Sequence, residues 1–257
     1  RVPPADAERV MRDYASRGYG LIFAHSFSYG DAALSVAEDF PDVKFMIAIG
    51  QTIKDNVGAY FNPDYQGAYL TGMLSAGASK SGVIGWVGGN PAPNMNANFN
   101  AWKAGAQEVN PDIKVMLSWL GVWFDPPKAK EAAMAQVEQG ADVLSAQSVG
   151  VIDAAVEKNV LVIGAVSDQN HLGPKSVLTS VLWNLGPVFT ASAKTVVDGQ
   201  WEAKNWIYGI KEGSITLADF HGLDANVRPE VLEAVQKKFD DIRNGAFEVP
   251  LNTALPQ

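Results

Sequence analysis

The sequence predicts an α/β protein built on parallel sheets, and three observations predict it. Helix-period and strand-type segments alternate through almost the whole chain. The strand-type segments are short continuous apolar runs, the pattern of strands covered on both faces. Polar and aromatic residues gather just after those runs, at the sheet edge where parallel folds bind ligands.

A first helix is expected over residues 5–17, stopped by Gly18-Tyr19-Gly20. Leu21-Ile22-Phe23-Ala24-His25 then reads as a buried strand. Residues 31–40 form a helix closed by Pro41, residues 43–49 a strand and residues 56–60 a short strand. Asn62-Pro63 starts a helix running to about Ser79. A strand at 83–87, a helix at 95–109 closed by Asn110-Pro111, and a strand at 113–120 follow. Asp125 is a good N-cap, and Pro126 sits at the first helical position, where its missing N–H costs nothing. Ala129, Ala132, Ala133, Met134 and Val137 carry that helix to Gly140, and residues 141–147 restart a strand. Strands at 160–166 and 178–182, a helix from Gly186-Pro187 to Gly199, and a last helix at about 228–244 complete the chain.

The 257 residues suffice for one large domain or two small ones. Two lobes are compatible with the absence of a linker if the chain crosses between them more than once. The segment 76–82, AGASKSG, is the expected first crossing, and a second follows the strand at Leu178. That assigns residues 1–80 and about 184–215 to an N-terminal lobe and 81–183 to a C-terminal lobe. Residues 216–257 stay unassigned. A doubly wound domain usually opens on a strand, so a β–α–β piece is expected ahead of Arg1.

Composition narrows the function. The formal charge of −8 and the scattered Lys and Arg disfavour nucleic acid and suit a small neutral ligand. With no cysteine there are no disulfides, thiol nucleophiles or thiolate metal sites. No apolar run reaches the roughly 18 residues of a membrane span. The Arg1-Val2-Pro3-Pro4 start has no signal-peptide pattern, so the reading is a cytoplasmic protein or a processed or truncated product.

Five strand ends carry polar or aromatic groups: His25 to Asp31, Trp123-Phe124, Gln147-Ser148, Ser167 to His171, and Trp183-Asn184. Their shared position is a stronger signal than any one cluster. Ser28 and Asp31 have an alternative role as helix caps, and Trp123 and Phe124 an alternative role as core plugs. There is no Gly-x-Ser-x-Gly elbow, P-loop or His-Glu-x-x-His, and no ligand pair with metal-site spacing. His25, Ser28 and Asp168 are the residues from which a catalytic triad would have to be drawn. No catalytic residue, metal or cofactor is expected.

A family resemblance rests on Gly20-Leu21-Ile22-Phe23 with Ser26-Phe27, and on Phe40-Pro41-Asp42-Val43-Lys44-Phe45. It continues through Gly67-Ala68-Tyr69-Leu70-Thr71-Gly72, Trp123-Phe124-Asp125-Pro126, Gly140-Ala141-Asp142-Val143 and Leu178 to Asn184. In this order and spacing the chain resembles substrate-binding proteins of the basic membrane protein family, the type I periplasmic-binding group serving ABC importers of nucleosides and nucleobases. The resemblance implies two Rossmann-like lobes joined by a hinge, no enzymatic activity, a permease partner and a monomer. It also implies a periplasmic or lipid-anchored cell-surface location, with any signal segment outside this chain. The family's N-terminal strand and helix, which carry one wall of the pocket, are not matched here.

Two departures bear on the ligand. Nucleoside-binding members resemble Gly-Val-Asp-x-Asp after the strand ending at Gly164, where this chain reads Ala165-Val166-Ser167-Asp168. Val166 thus replaces a ribose-binding aspartate, and Trp183 replaces a lysine. Losing an acceptor and a donor points to a free nucleobase, most of all a purine, without its sugar. The residues expected to face it are Phe27, Ser28, Tyr29, Trp123, Phe124, Gln147, Asp168, Trp183 and Asn184. An α/β enzyme acting on a small metabolite and the ligand-sensing domain of a regulator are the alternative classes.

Overall fold

The computed structural model describes residues 2–256, which fall into two compact units. The first comprises Arg1–Asn62 and Leu185–Tyr208, the second Pro63–Asn184 and Gly209–Gln257. The chain therefore passes between them three times.

The first unit contains α1 (Ala7–Ser16), β1 (Leu21–Ala24), α2 (Gly30–Asp39), β2 (Lys44–Ala48) and β3 (Val57–Phe61). Its four-stranded sheet runs β1-β2-β3-β9, the last strand being Asn205–Ile207 from the returning segment. Every pairing in it is parallel. α1 and α2 cover one face, where Met11, Ala33 and Val36 share a core cluster with Phe45 of β2. On the other face Met46, Tyr60 and Trp206 pack against Val188 and Phe189 of α7 (Gly186–Val197).

The second unit contains α3 (Asp64–Ala78), β4 (Val83–Gly88), α4 (Pro93–Val109), β5 (Lys114–Trp119), α5 (Pro126–Glu138) and β6 (Val143–Gln147). α6 (Val151–Lys158), β7 (Leu161–Val166), β8 (Val177–Trp183), β10 (Ile215–Leu217) and α8 (Pro229–Asn244) complete it. Its sheet runs β10-β8-β7-β6-β4-β5, parallel except for β10, which pairs antiparallel with β8. Read from β5, the five parallel strands follow the doubly wound order 2-1-3-4-5, with the topological switch between β4 and β6.

α3 explains why the division falls at Asn62/Pro63 and not in the expected 76–82 segment. Twelve of its fifteen residues, Gly67 to Ala78, are buried, so it is a core helix, not a surface one. It packs along α4 and also touches β8, β10 and α8, so it belongs to the second unit. Gly72 and Gly105 let the helices meet backbone to backbone. A Cβ at Gly72 would lie 2.0 Å from the Trp102 carbonyl oxygen, and one at Gly105 2.0 Å from that of Tyr69. Residues 216–257 also belong to this unit, through β10 and α8.

Most expected elements form within two residues of their predicted ends. Asp125 caps α5 as read, its Oδ1 accepting from the Lys128 N–H at 3.1 Å. α6, β9 and β10 are additions. α6 has eight residues between two left-handed positions, Gly150 (φ 107°) and Asn159 (φ 53°), and β9 and β10 have three residues each. Such pieces are too short to set a readable period. Among the described residues no helix is long and apolar enough to cross a membrane.

Candidate functional site

The second unit has a recess at the carboxyl edge of its sheet, with about 350 Å³ of empty volume including the part open to solvent. Each wall comes from a different element. β4 supplies Trp86, β6 Gln147, β7 Ala165 and Val166, and β8 Val181 and Trp183. α3 places Asp64, its first residue, across from them, and α4 adds Asn98. The recess lies beside the β4–β6 switch, where the order of a doubly wound sheet opens a crevice.

Its floor is rigid. Trp86 is 1% exposed and sits in an aromatic cluster, its ring 5.8 Å from Phe99 and 5.5 Å from Trp102. Truncating a ring so buried costs about 3–5 kcal/mol.

Asp64 is the unusual wall. Its Oδ1 has no solvent contact and no hydrogen-bond partner. Burial pushes the carboxyl up to about 8, against hydrogen bonds from the Asn98 and Trp183 side chains, which favour the charged form. The N-terminus of α3 also favours the charged form, by about 0.3–1 kcal/mol. Desolvation of a buried carboxylate reaches several pKa units at about 1.4 kcal/mol each, so it wins. Among the described residues lining the recess, Asp64 alone can carry charge. Thr71 adds little, because its hydroxyl already donates to the Gly67 and Ala68 carbonyls, each at 3.0 Å.

Val166 is strained. It is a β-branched residue at φ 71°, in the left-handed region, and it is 48% exposed. Such a conformation costs about 1–3 kcal/mol and persists where surrounding contacts hold it, as at ligand clamps. Here the Gln169 side chain accepts from the Ala165 N–H at 2.9 Å, and the Gln169 N–H donates to Ser180 Oγ at 3.2 Å.

Of the nine residues expected to face a ligand, Gln147 and Trp183 line this recess. Asp168 follows Val166, but its Oδ2 lies 2.8 Å from His221 Nε2, and its Oδ1 accepts from the Asn170 N–H at 3.0 Å. The Asn170 N–H first and then His221 hold its carboxyl below the usual range. Asn184 donates through Nδ2 to the Gly213 carbonyl at 3.2 Å. Trp123 and Phe124 occupy the β5–α5 loop, 55% and 74% exposed, so neither plugs the core. With its amide turned to satisfy both neighbours, Asn90 accepts from Trp123 Nε1 at 3.3 Å and donates to the Gly121 carbonyl at 3.0 Å.

Phe27, Ser28 and Tyr29 belong to the first unit, in a 3-10 turn after β1. Phe27 is 62% exposed, Ser28 Oγ lies 2.8 Å from Ser26 Oγ, and the Tyr29 hydroxyl donates to the Val2 carbonyl at 2.6 Å. His25 pairs through Nδ1 with the Tyr60 hydroxyl at 2.6 Å. His25 and Asp168 thus each have a partner of their own, Tyr60 and His221. No group of three or more His, Asp or Glu residues with metal-site geometry occurs among the described residues.

Sequence reasoning missed Asp64, Asn98 and Trp86. An acid in the first turn of a helix is an ordinary capping signal, and it hid Asp64. Only the depth of α3 shows that this first turn faces a recess.

Comparison with known proteins follows the same lines. The family model of PnrA-like ABC transporter substrate-binding proteins matches residues 3–250. A purine-binding protein of Brucella abortus is 38% identical over 226 residues, covering 87% of this chain and 65% of its own length. A putative ABC transporter glucose-binding protein of Haloferax volcanii is 32% identical over 250 residues, covering 96% of this chain and 63% of its own. The chain thus spans somewhat under two thirds of the length of these relatives. An ABC transporter solute-binding protein of Conexibacter woesei superposes with a TM-score of 0.79 at 23% identity, over 97% of this chain and 85% of the other, a likeness of fold. The chain belongs to the PnrA-like family of ABC transporter substrate-binding proteins, which are solute-binding proteins and not enzymes.

Proposed function

We propose that this chain is the ligand-binding part of an extracytoplasmic protein that delivers a purine nucleobase to the permease of an ABC importer. The observation that carries the reading is the chemistry of the recess. One buried carboxyl and two amides, Asn98 and Gln147, stand among the walls Trp86, Trp183, Val166 and Val181. A flat heterocycle needs apolar faces and a few placed polar groups.

The two relatives offer different ligands, a purine and glucose, and the chemistry of the recess supports the purine. A sugar brings a hydroxyl to almost every carbon, and each one buried without a partner costs about 1–3 kcal/mol. The recess has Asp64, Asn98 and Gln147 to offer, with the Thr71 hydroxyl already committed. Val166 and Trp183 would leave ribose hydroxyls unpaired in the same way. The protein acts as a monomer, in the periplasm or tethered to the cell surface, and its net charge of −8 is compatible with a neutral ligand.

Calorimetry with adenine, guanine, adenosine, guanosine and glucose tests the reading. At least one free base should bind at least about tenfold more tightly than its nucleoside, a difference of about 1.4 kcal/mol. Nucleosides or glucose binding more tightly than both bases would sink it.

A further inference from the structure

The first half of α4 breaks the rules of helix starts. It reads Pro93-Asn94-Met95-Asn96-Ala97-Asn98-Phe99-Asn100, with a weak helix former at every second position after the proline. Its N-cap, Ala92, offers no side-chain hydrogen bond to the free N–H groups of the first turn. Asn98 has a role already, 5% exposed in the recess wall and hydrogen-bonded to the Asp64 carboxyl. At about 100° per residue, Asn96 and Asn100 share a stripe on the opposite side of the helix.

That stripe carries residues 251–255. Asn96 Nδ2 donates to the Thr253 carbonyl at 3.1 Å, and Asn100 Nδ2 donates to the Asn252 and Ala254 carbonyls at 2.9 and 3.0 Å. The Ala254 N–H donates to Asn252 Oδ1 at 3.0 Å, a turn that brings two carbonyls to one amide. Leu251 to Leu255 are exposed throughout, the two leucines at 59% and 63%, whereas Val249 is buried. Packing therefore does not seat this segment; its backbone carbonyls on two asparagine amides do. Resting on the reading of the recess as the ligand site, we propose that residues 251–255 are a strap that positions Asn98. The strap pins the first turns of α4 from the side away from the recess, in place of the missing cap. Asn98 then meets the ligand already ordered, and affinity loses nothing to ordering it. Asn96 and Asn100 are positioning residues, which hold the strap and do not line the recess.

The test compares the wild type with a deletion of residues 251–257, with Asn100→Asp and with Leu255→Ala. The deletion spares the core residue Val249. Asn100→Asp keeps the shape and turns the donor into an acceptor that faces two carbonyls. Leu255→Ala leaves every carbonyl in place and should match the wild type. Hydrogen exchange without ligand should speed up about tenfold across residues 94–100 in the deletion and in Asn100→Asp, with α5 and α6 unchanged. Calorimetry uses adenine, guanine, adenosine, guanosine and glucose. The compound that the wild type binds most tightly should lose about three- to tenfold in affinity for the same two variants.

The two arms fail separately. Unchanged exchange over residues 94–100 overturns the strap, whatever the ligand proves to be. Faster exchange there with an unchanged affinity overturns its positioning of Asn98. Exchange raised evenly across the second unit, with a lower Tm, would make the segment a general stabiliser and overturn the proposal as well. A nucleoside or glucose as the tightest wild-type ligand removes the base-binding reading, and the strap stands if that ligand loses affinity in the deletion.

Discussion

Gly72→Ala is expected to unfold the second unit or come close to it. The added methyl would sit 2.0 Å from the Trp102 carbonyl oxygen, 2.8 Å from its carbon and 3.0 Å from the Ala106 nitrogen. All three are backbone atoms of α4, so no side chain can turn away. α3 and α4 must separate instead, and the burial of Leu70, Met73, Trp86 and Trp102 in the shared core goes with them. The cost should be at least about 3 kcal/mol, on the order of 10 °C in Tm, above the ordinary range for overpacking. Gly105→Ala, which meets the Tyr69 backbone from the other side, should behave alike. Gly20→Ala is the control, since its Cβ would meet nothing within 4 Å, and it should change stability by less than about 0.5 kcal/mol. Thermal melts followed by circular dichroism decide it. A Gly72→Ala melt like that of the control would contradict the close helix crossing.

The second large effect is a change of ligand preference. Val166→Asp combined with Trp183→Lys would place an acceptor and a donor in the wall of the recess where a valine and a tryptophan now stand. The double variant should raise adenosine affinity by about 10–100-fold, the range expected for one or two hydrogen bonds to charged groups. The fold should tolerate the first change well, because an aspartate accepts φ 71° more readily than a valine does. The lysine should pair with the new carboxylate and with Asp64, which would lose its neutral form. Calorimetry with adenine and adenosine on both proteins checks the outcome. An unchanged base-to-nucleoside ratio would show that these two positions do not exclude the sugar.

Much of this was legible in the sequence because parallel strands announce themselves. Continuous runs such as Leu21 to Ala24 and Val83 to Val87 are covered on both faces, so no polar residue interrupts them. The α5 start was legible because Asp125 and Pro126 satisfy a helix terminus by local chemistry alone. The carboxyl edge of the sheet was legible as a whole, and Gln147 and Trp183 follow from it. The unit boundary was not, because it depends on which sheet α3 packs against, a choice made by backbone contacts at Gly72 and Gly105. Asp64 was hidden for a related reason. Its residue type at a helix start is ordinary, and only its surroundings set it apart.

The recess holding Asp64, Asn98, Gln147 and Trp183 should receive a flat nucleobase. A crystal structure of the protein with adenine tests it most directly. The ring should lie against Trp183, with its polar edge within hydrogen-bond distance of Asn98 or Gln147. Adenine bound away from this recess would contradict the reading.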